Sequence, residues 1–237
     1  MPQGIISVLG AAAGARVGCR SSAVNQKPPP WFEEYSLHQY LPMKLVLILL
    51  AVLLVAFIAV QLFALSGQRN IETYPYAVDK EYDNFEIRSY EATLFTAVQL
   101  STSKYDEASS KGFSILAGYI FGGNETKEKI AMTSPVTMSL DDTMTMMFMV
   151  PKKSTKETLP QPNRSEIEFR EVPAKTVAAI TFGGWANDEK IAKYREQLTA
   201  ALTAEGIAFT NRFYLLGYNA PYEVLNRKNE IIVELEG

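Results

Sequence analysis

The sequence predicts an α+β domain built from a repeated β-α-β-β unit, preceded by one transmembrane helix. Three observations carry this. Leu45–Leu65, "LVLILLAVLLVAFIAVQLFAL", is apolar apart from Gln61, and at 1.5 Å per residue it spans roughly 30 Å, the thickness of a bilayer core. The stretches "FEIRSYEATLFTAV" (85–98) and "IEFREVPAKTVAAI" (167–180) align without gaps at an offset of 82 (85 to 167). Each is followed by a helical pattern and then by two further strand-like segments.

The elements follow in chain order. Residues 1–42 are read as unstructured or as a mis-assigned extension, because Met43-Lys44 directly before the apolar run reads as a natural start. A second reading stays open: up to Lys27 the segment holds Arg16, Arg20, several Ala and Ser and no acid, as organelle transit peptides do. "KPPPW" at 27–31 is expected to lack regular structure. Residues 43–66 form the anchor. "ALS" at 64–66 resembles a cleavage site, but the apolar run exceeds a signal peptide's, which favours a retained anchor. Residues 67–75 are a linker, and 76–237 the soluble domain. Residues 77–82 and 85–90 pair as a hairpin about Asp83-Asn84, and Leu94, Thr96, Val98 and Leu100 give one face of the next strand.

The first domain helix lies in "STSKYDEASSKGFSILAGYIFGG", with a capping box from Ser103 to Asp106, an apolar stripe of Ala108, Ile115, Leu116 and Tyr119, and a stop at Gly122-Gly123. The second starts at Asn187-Asp188, buries Ile191, Tyr194, Leu198, Ala201 and Leu202, and closes at Gly206. After each helix a proline-bearing strand is expected, "KIAMTSPVTM" around Pro135 and "YLLGYNAPYEV" around Pro221, then a last strand, "TMTMMFMVP" and "NEIIVELE". In the repeat Glu86 falls on Glu168, Arg88 on Arg170, Ala92 on Ala174 and Ala97 on Ala179. Such repetition implies one pseudo-twofold domain with a cleft between its halves.

Chemistry is bounded by what the domain lacks. Cys19 and His38, the one Cys and the one His, both precede it. Disulfides, a Cys-ligated zinc, a multi-His site and Ser-His or Cys-His nucleophiles are therefore excluded from the soluble domain. The net charge of −3 argues against nucleic acid. "GFSILAGYIFGG" lacks the spacing of a dinucleotide loop. Glu86 and Glu168, each two residues before an arginine, read as ion-pair partners. Six of the eight methionines lie between 129 and 151. By period two, Met144, Met146, Phe148 and Val150 share one face and Met147 and Met149 the other, while Ile130, Met132, Val136 and Met138 share a face of the preceding strand. Methionine suits a packed core or the wall of a cleft for a flat ligand.

"FEIRSY", "GFSILAGYIFGGN", "KEKIAMTSPV", "FGGW" and "GYNAPYEVLNRKNEI" occur in that order, and over about residues 74–236 the chain resembles the SOUL haem-binding protein family. The resemblance implies a distorted antiparallel β-barrel with two helices, similar in plan to the effector-binding domains of gyrase-inhibitor-like regulators. It also implies non-covalent binding of haem or porphyrin. With no domain histidine for an axial ligand, the macrocycle would be held by apolar burial, or ligated by a residue such as Met132 or Met138. Arg227 and Lys228 are then the candidates for the propionates, an Arg fork accepting a carboxylate bidentately. Tyr119, Tyr218 and Tyr222 are candidate stacking walls or hydrogen-bond donors.

The expected function is tetrapyrrole binding for haem carriage, buffering or delivery at a membrane, without catalysis. The partners are a tetrapyrrole and the lipid bilayer through residues 45–65, and no nucleic acid. Lys44 before the span places the domain on the exported side, or in an organelle if 1–42 is a transit peptide. An alternative is an effector-binding sensor or protein-interaction module for another amphipathic ligand. An enzyme acting through a glutamate is a third reading, without a motif.

Overall fold

The computed structural model describes residues 30–68 and 71–236, with side chains described for 43–62 and 71–236. The expectations for residues 1–29 lie outside the described residues. The helix α1 runs Pro30–Gln68, so it takes in residues 30–42 as well as the apolar run, and opens on a proline whose missing N–H costs nothing at a first helical turn. Within it Met43–Leu62 is long and apolar enough to cross a membrane.

The domain follows as β1 (Glu72–Thr73), β2 (Tyr76–Glu81), β3 (Glu86–Tyr90), β4 (Thr93–Gln99), α2 (Tyr105–Ile120), β5 (Thr133–Ser134), β6 (Val136–Ser139), β7 (Thr145–Met149), β8 (Ile167–Val172), β9 (Lys175–Gly183), α3 (Asp188–Ala204), β10 (Phe209–Gly217) and β11 (Lys228–Leu235). Nine strands form one antiparallel sheet in the order β2-β3-β9-β11-β10-β6-β7-β4-β8, and β1 pairs in parallel with β5.

The strand order dictates the curl. β3 and β4 lie near opposite edges, yet only Glu91 and Ala92 join them. β8 and β9 are likewise far apart and joined by Pro173 and Ala174. Links this short reach only about 10 Å, so the flanks must bend toward each other. Tyr74 fills the space between, its ring 4.4 Å from that of Tyr90 on β3 and 5.2 Å from that of Phe95 on β4. The expected distorted barrel is thus a curled half-barrel.

The repeat is written into the register. Glu86 stands opposite Ala179, and its repeat partner Glu168 stands opposite Ala97, the repeat partner of Ala179. Arg88 faces Val177 and Arg170 faces Phe95 in the same reciprocal way. The proline correspondence does not hold. Pro135 lies between β5 and β6, whereas Pro221 lies in the loop after β10. Met138 pairs directly with Leu215 across the β6–β10 seam where the halves meet.

Both domain helices pack on one face of the sheet. α2 covers Val98, Leu100, Met138, Met144, Met146 and Phe148. α3 covers Ala178, Ile180, Phe213, Leu215, Ile231 and Val233. The opposite face buries Phe95, Ala97, Met147, Met149, Val177 and Ile232. The methionines therefore alternate between two cores, as their period implies. Gly112 in α2 is a packing choice: a Cβ there would lie 2.9 Å from Leu100 Cδ1 and 3.1 Å from Met146 Cβ.

Helix ends differ from expectation at one point. The Ser103–Asp106 box does not form, because α2 starts after Lys104. Thr102 Oγ1 accepts the Lys104 N–H at 3.2 Å and donates to Glu107 at 3.1 Å. The Tyr105 N–H is satisfied instead by Asp188 Oδ1 of α3 at 2.7 Å, a long-range partner that local spacing does not reveal. Asn187 caps α3 as expected, accepting the Lys190 N–H at 2.8 Å.

Candidate functional site

A groove runs between α2 and the seam where β6 and β10 end, closed on its far side by the loop 218–227. Its apolar end, about 410 Å³, is lined by Ile71, Phe113, Phe121, Met132, Val136 and Tyr222, with Tyr218 in the wall. Its polar end, about 590 Å³, is lined by Tyr105, Ser109, Ser110, Trp185, Asn219 and Arg227. Phe113, Val136, Gly217, Asn219 and Pro221 belong to both ends, so the two are continuous. Each volume falls within the range of about 300–1,000 Å³ usual for small-molecule sites.

Gly217 forms part of the floor. A Cβ built there would meet nothing within 4 Å, and its φ is not in the left-handed region. The missing side chain is therefore open space belonging to the groove, not a backbone requirement.

Arg227 is held rather than loose. Its Nη1 donates to the carbonyls of Ala220 at 2.9 Å and Glu223 at 2.6 Å, and its guanidinium stacks 3.8 Å from the Trp185 ring. Its Nε is buried with no hydrogen-bond partner among the described residues. An orphaned donor of that kind costs about 1–3 kcal/mol, and an acceptor brought into the groove would offset it. Burial pulls the Arg227 pKa down, with Tyr105 and Glu223 opposing. The loop that carries it is braced by Asn219, whose Oδ1 accepts the Lys228 N–H at 2.7 Å and whose Nδ2 donates to Glu223 at 2.7 Å.

Behind one wall lies a buried charge cluster. Arg88 grips Glu230 with both terminal nitrogens, at 2.9 and 3.0 Å, and Glu86 with its Nε at 2.7 Å. Glu230, fully buried, also accepts from the Tyr218 hydroxyl at 2.6 Å, Thr181 at 3.1 Å and Lys228 at 2.9 Å. Burial alone would raise the Glu230 pKa, but the hydrogen bonds from Arg88 and Tyr218 overturn this and hold it at about 2. Burial and the adjacent Glu230 push the Tyr218 phenol upward. Tyr218 therefore commits its hydroxyl to Glu230 and adds its ring to the groove wall.

The sequence-selected residues divide. Met132, Tyr218, Tyr222 and Arg227 are brought together around the groove. Lys228 points to Glu230, with its ammonium 4.5 Å from the Tyr218 ring centre, and does not line it. Met138 is buried beneath α2. Tyr119 is also in that core, its hydroxyl donating to the Pro160 carbonyl at 2.9 Å. Glu86 pairs with Arg88 and Glu168 with Arg170, as their spacing implied. Trp185, Phe113, Phe121, Asn219 and Gly217 were not selected from sequence. Trp185 stood inside the quoted "FGGW", but nothing local tells that Arg227 would stack on it. An open trench of about 910 Å³ lies between the β2–β3 hairpin and α3; its charged lining is Asp83 and Glu86 alone, whereas the groove sets Arg227 beside Asp106 and Glu223.

Residues 71–234 match the family model described as SOUL heme-binding protein. The chain is 29% identical over 166 residues to heme-binding protein 2 of Mus musculus, covering 66% of this chain and 80% of that protein. It is 25% identical over 174 residues to heme-binding protein 1 of Sus scrofa, covering 68% and 92%. Among solved structures, the C-terminal domain of EcmrR superposes with a TM-score of 0.52 at 12% identity, covering 68% of this chain and 98% of that one. That last likeness is one of fold. The family-model match over residues 71–234, more than half of the chain, places it in the SOUL heme-binding protein family.

Proposed function

We propose that the protein binds haem or porphyrin in the groove beside α2 and carries, buffers or delivers it at a membrane to which α1 anchors the domain. The carrying observation is the groove's polarity: an apolar end ringed by aromatic side chains and a fixed arginine with an orphaned donor at the other. A tetrapyrrole has the matching form, a flat apolar body with carboxylates on one edge. Family membership and the names of the relatives support the ligand class.

The body would lie against Phe113, Phe121, Met132, Val136, Tyr218 and Tyr222, and a carboxylate would meet Arg227. Residues 71–234 contain no histidine, so burial would supply the affinity, and Met132 at the apolar end and Met146 at the polar end are the sulfur atoms lining the groove. Of the groove's carboxylates Glu223 is held by Asn219, and the reading is one of binding without catalysis. The membrane role rests on Met43–Leu62, with Lys44 on the retained side and the domain on the other.

Hemin titrated into the detergent-solubilised full chain tests this. A saturable Soret change with quenching of Trp185, read in a Trp31→Phe background because the chain holds two tryptophans, is the expected result. Arg227→Ala should weaken binding about ten- to a hundredfold, the value of a hydrogen bond to a charged group. No saturable change in the wild-type protein would overturn the reading.

A further inference from the structure

The loop after β10 exposes Tyr222 (57%), Val224 (47%) and Leu225 (53%), three large apolar side chains in four residues. Its only charge between Asn219 and Leu225 is Glu223, which is turned inward and buried. Large apolar side chains exposed side by side on a loop mark an interaction surface.

The partner is indicated by Gln61. This residue lies at the end of the apolar span Met43–Leu62, and it is buried at 6% exposure while the span around it is exposed. Its Nε2 donates to the Tyr222 carbonyl at 3.2 Å, and its Oε1 accepts the Val224 N–H at 3.2 Å. Both contacts fall within the one compact unit formed by residues 55–237. A glutamine near the end of a membrane span needs partners for its amide, and here the loop backbone provides both. The loop is thereby fixed at the depth where the span leaves the hydrocarbon. That is the interfacial zone, which tyrosine favours and where Val and Leu can reach the acyl chains.

We infer that residues 220–225 dock into the surface of the same bilayer that α1 crosses, and that the groove consequently opens toward lipid at its apolar end. Ala220, Pro221 and Tyr222 form both the docked loop and the lip of that end, with Phe121, 64% exposed, facing them across it. The ligand class is then an amphipathic molecule that partitions into membranes and enters from the lipid, its carboxylates trailing toward Arg227. This rests on the reading of α1 as a membrane anchor.

The test uses the full chain in phosphatidylcholine vesicles, with Cys19→Ser and one fluorophore-labelled cysteine at a time: Leu225→Cys, Leu53→Cys within the span, or Glu236→Cys. Glu236 is exposed and follows β11, whose eight residues carry it about 25 Å from the loop. The expected result is that the label at 225 is blue-shifted, quenched by lipids carrying a nitroxide near the headgroup, and shielded from aqueous iodide, while the label at 236 shows the reverse. A label at 225 that behaves like the one at 236, with the label at 53 quenched by nitroxide deep in the acyl chain, would sink the docking but leave the anchor standing. Absence of lipid quenching at 53 as well would remove the anchor and the docking together.

Discussion

Three residues set the chemistry of the groove. Arg227 offers a fixed cation whose Nε lacks a partner, Trp185 holds it flat, and Gly217 leaves the floor open. Because Gly217 has ordinary backbone angles and free space where a Cβ would go, Gly217→Leu should fill the groove without strain. Hemin binding should fall below detection while the urea midpoint stays at or above wild type, since glycine in a strand is unfavourable. Glu230 predicts acid behaviour. Its carboxyl is near 2 when folded and near the ordinary 4.5 when unfolded, so the stability it contributes is complete above about pH 4.5 and is lost as pH falls toward 2. Denaturant midpoints measured from pH 6 to pH 2.5 should decline chiefly below 4.5. Glu230→Gln should flatten that decline and cost about 3 kcal/mol at pH 7, the low end for breaking a buried pair, because Arg88 keeps only Glu86 as a carboxylate partner.

At the level of elements, the loop 218–227 does the most with the least regular structure. Asn219 braces it from within, and Gln61 tethers it from α1. Gln61→Leu should leave the Tyr222 carbonyl and the Val224 N–H without that partner, and hydrogen exchange at Val224 should quicken while β11 stays protected. Most strands, both domain helices and the two-faced packing of the methionines were legible in the sequence, because periodicity and caps are local signals, whereas β1 lies in the expected linker and β10 stops at Gly217, before Pro221. The repeat was legible too, but the reciprocal strand pairing it produces appears only in the register. What was not legible depended on distance. Thr102 and Asp188 replace Ser103 at the start of α2 because the partner comes from the other helix. Pro221 resembled Pro135 in sequence, yet one ends up in a loop and the other between strands. Tyr119 and Met138 carry the same side-chain chemistry as Tyr218 and Met132, and only packing separates core from groove.

At the scale of the whole molecule, the curl of one sheet brings a seam, a helix and a loop around a single groove, and the helix-to-loop contact at Gln61 ties that groove to the anchor's end. On the proposed reading, the membrane and the ligand meet the same few residues. The central claim is that this groove holds a tetrapyrrole. It is tested most directly by titrating hemin into the full chain and into its Gly217→Leu variant under identical conditions. The account predicts a saturable Soret shift with Trp185 quenching, both proteins carrying Trp31→Phe, in the first and neither in the second, with both equally folded by circular dichroism. Equal hemin affinity in the two proteins would contradict it.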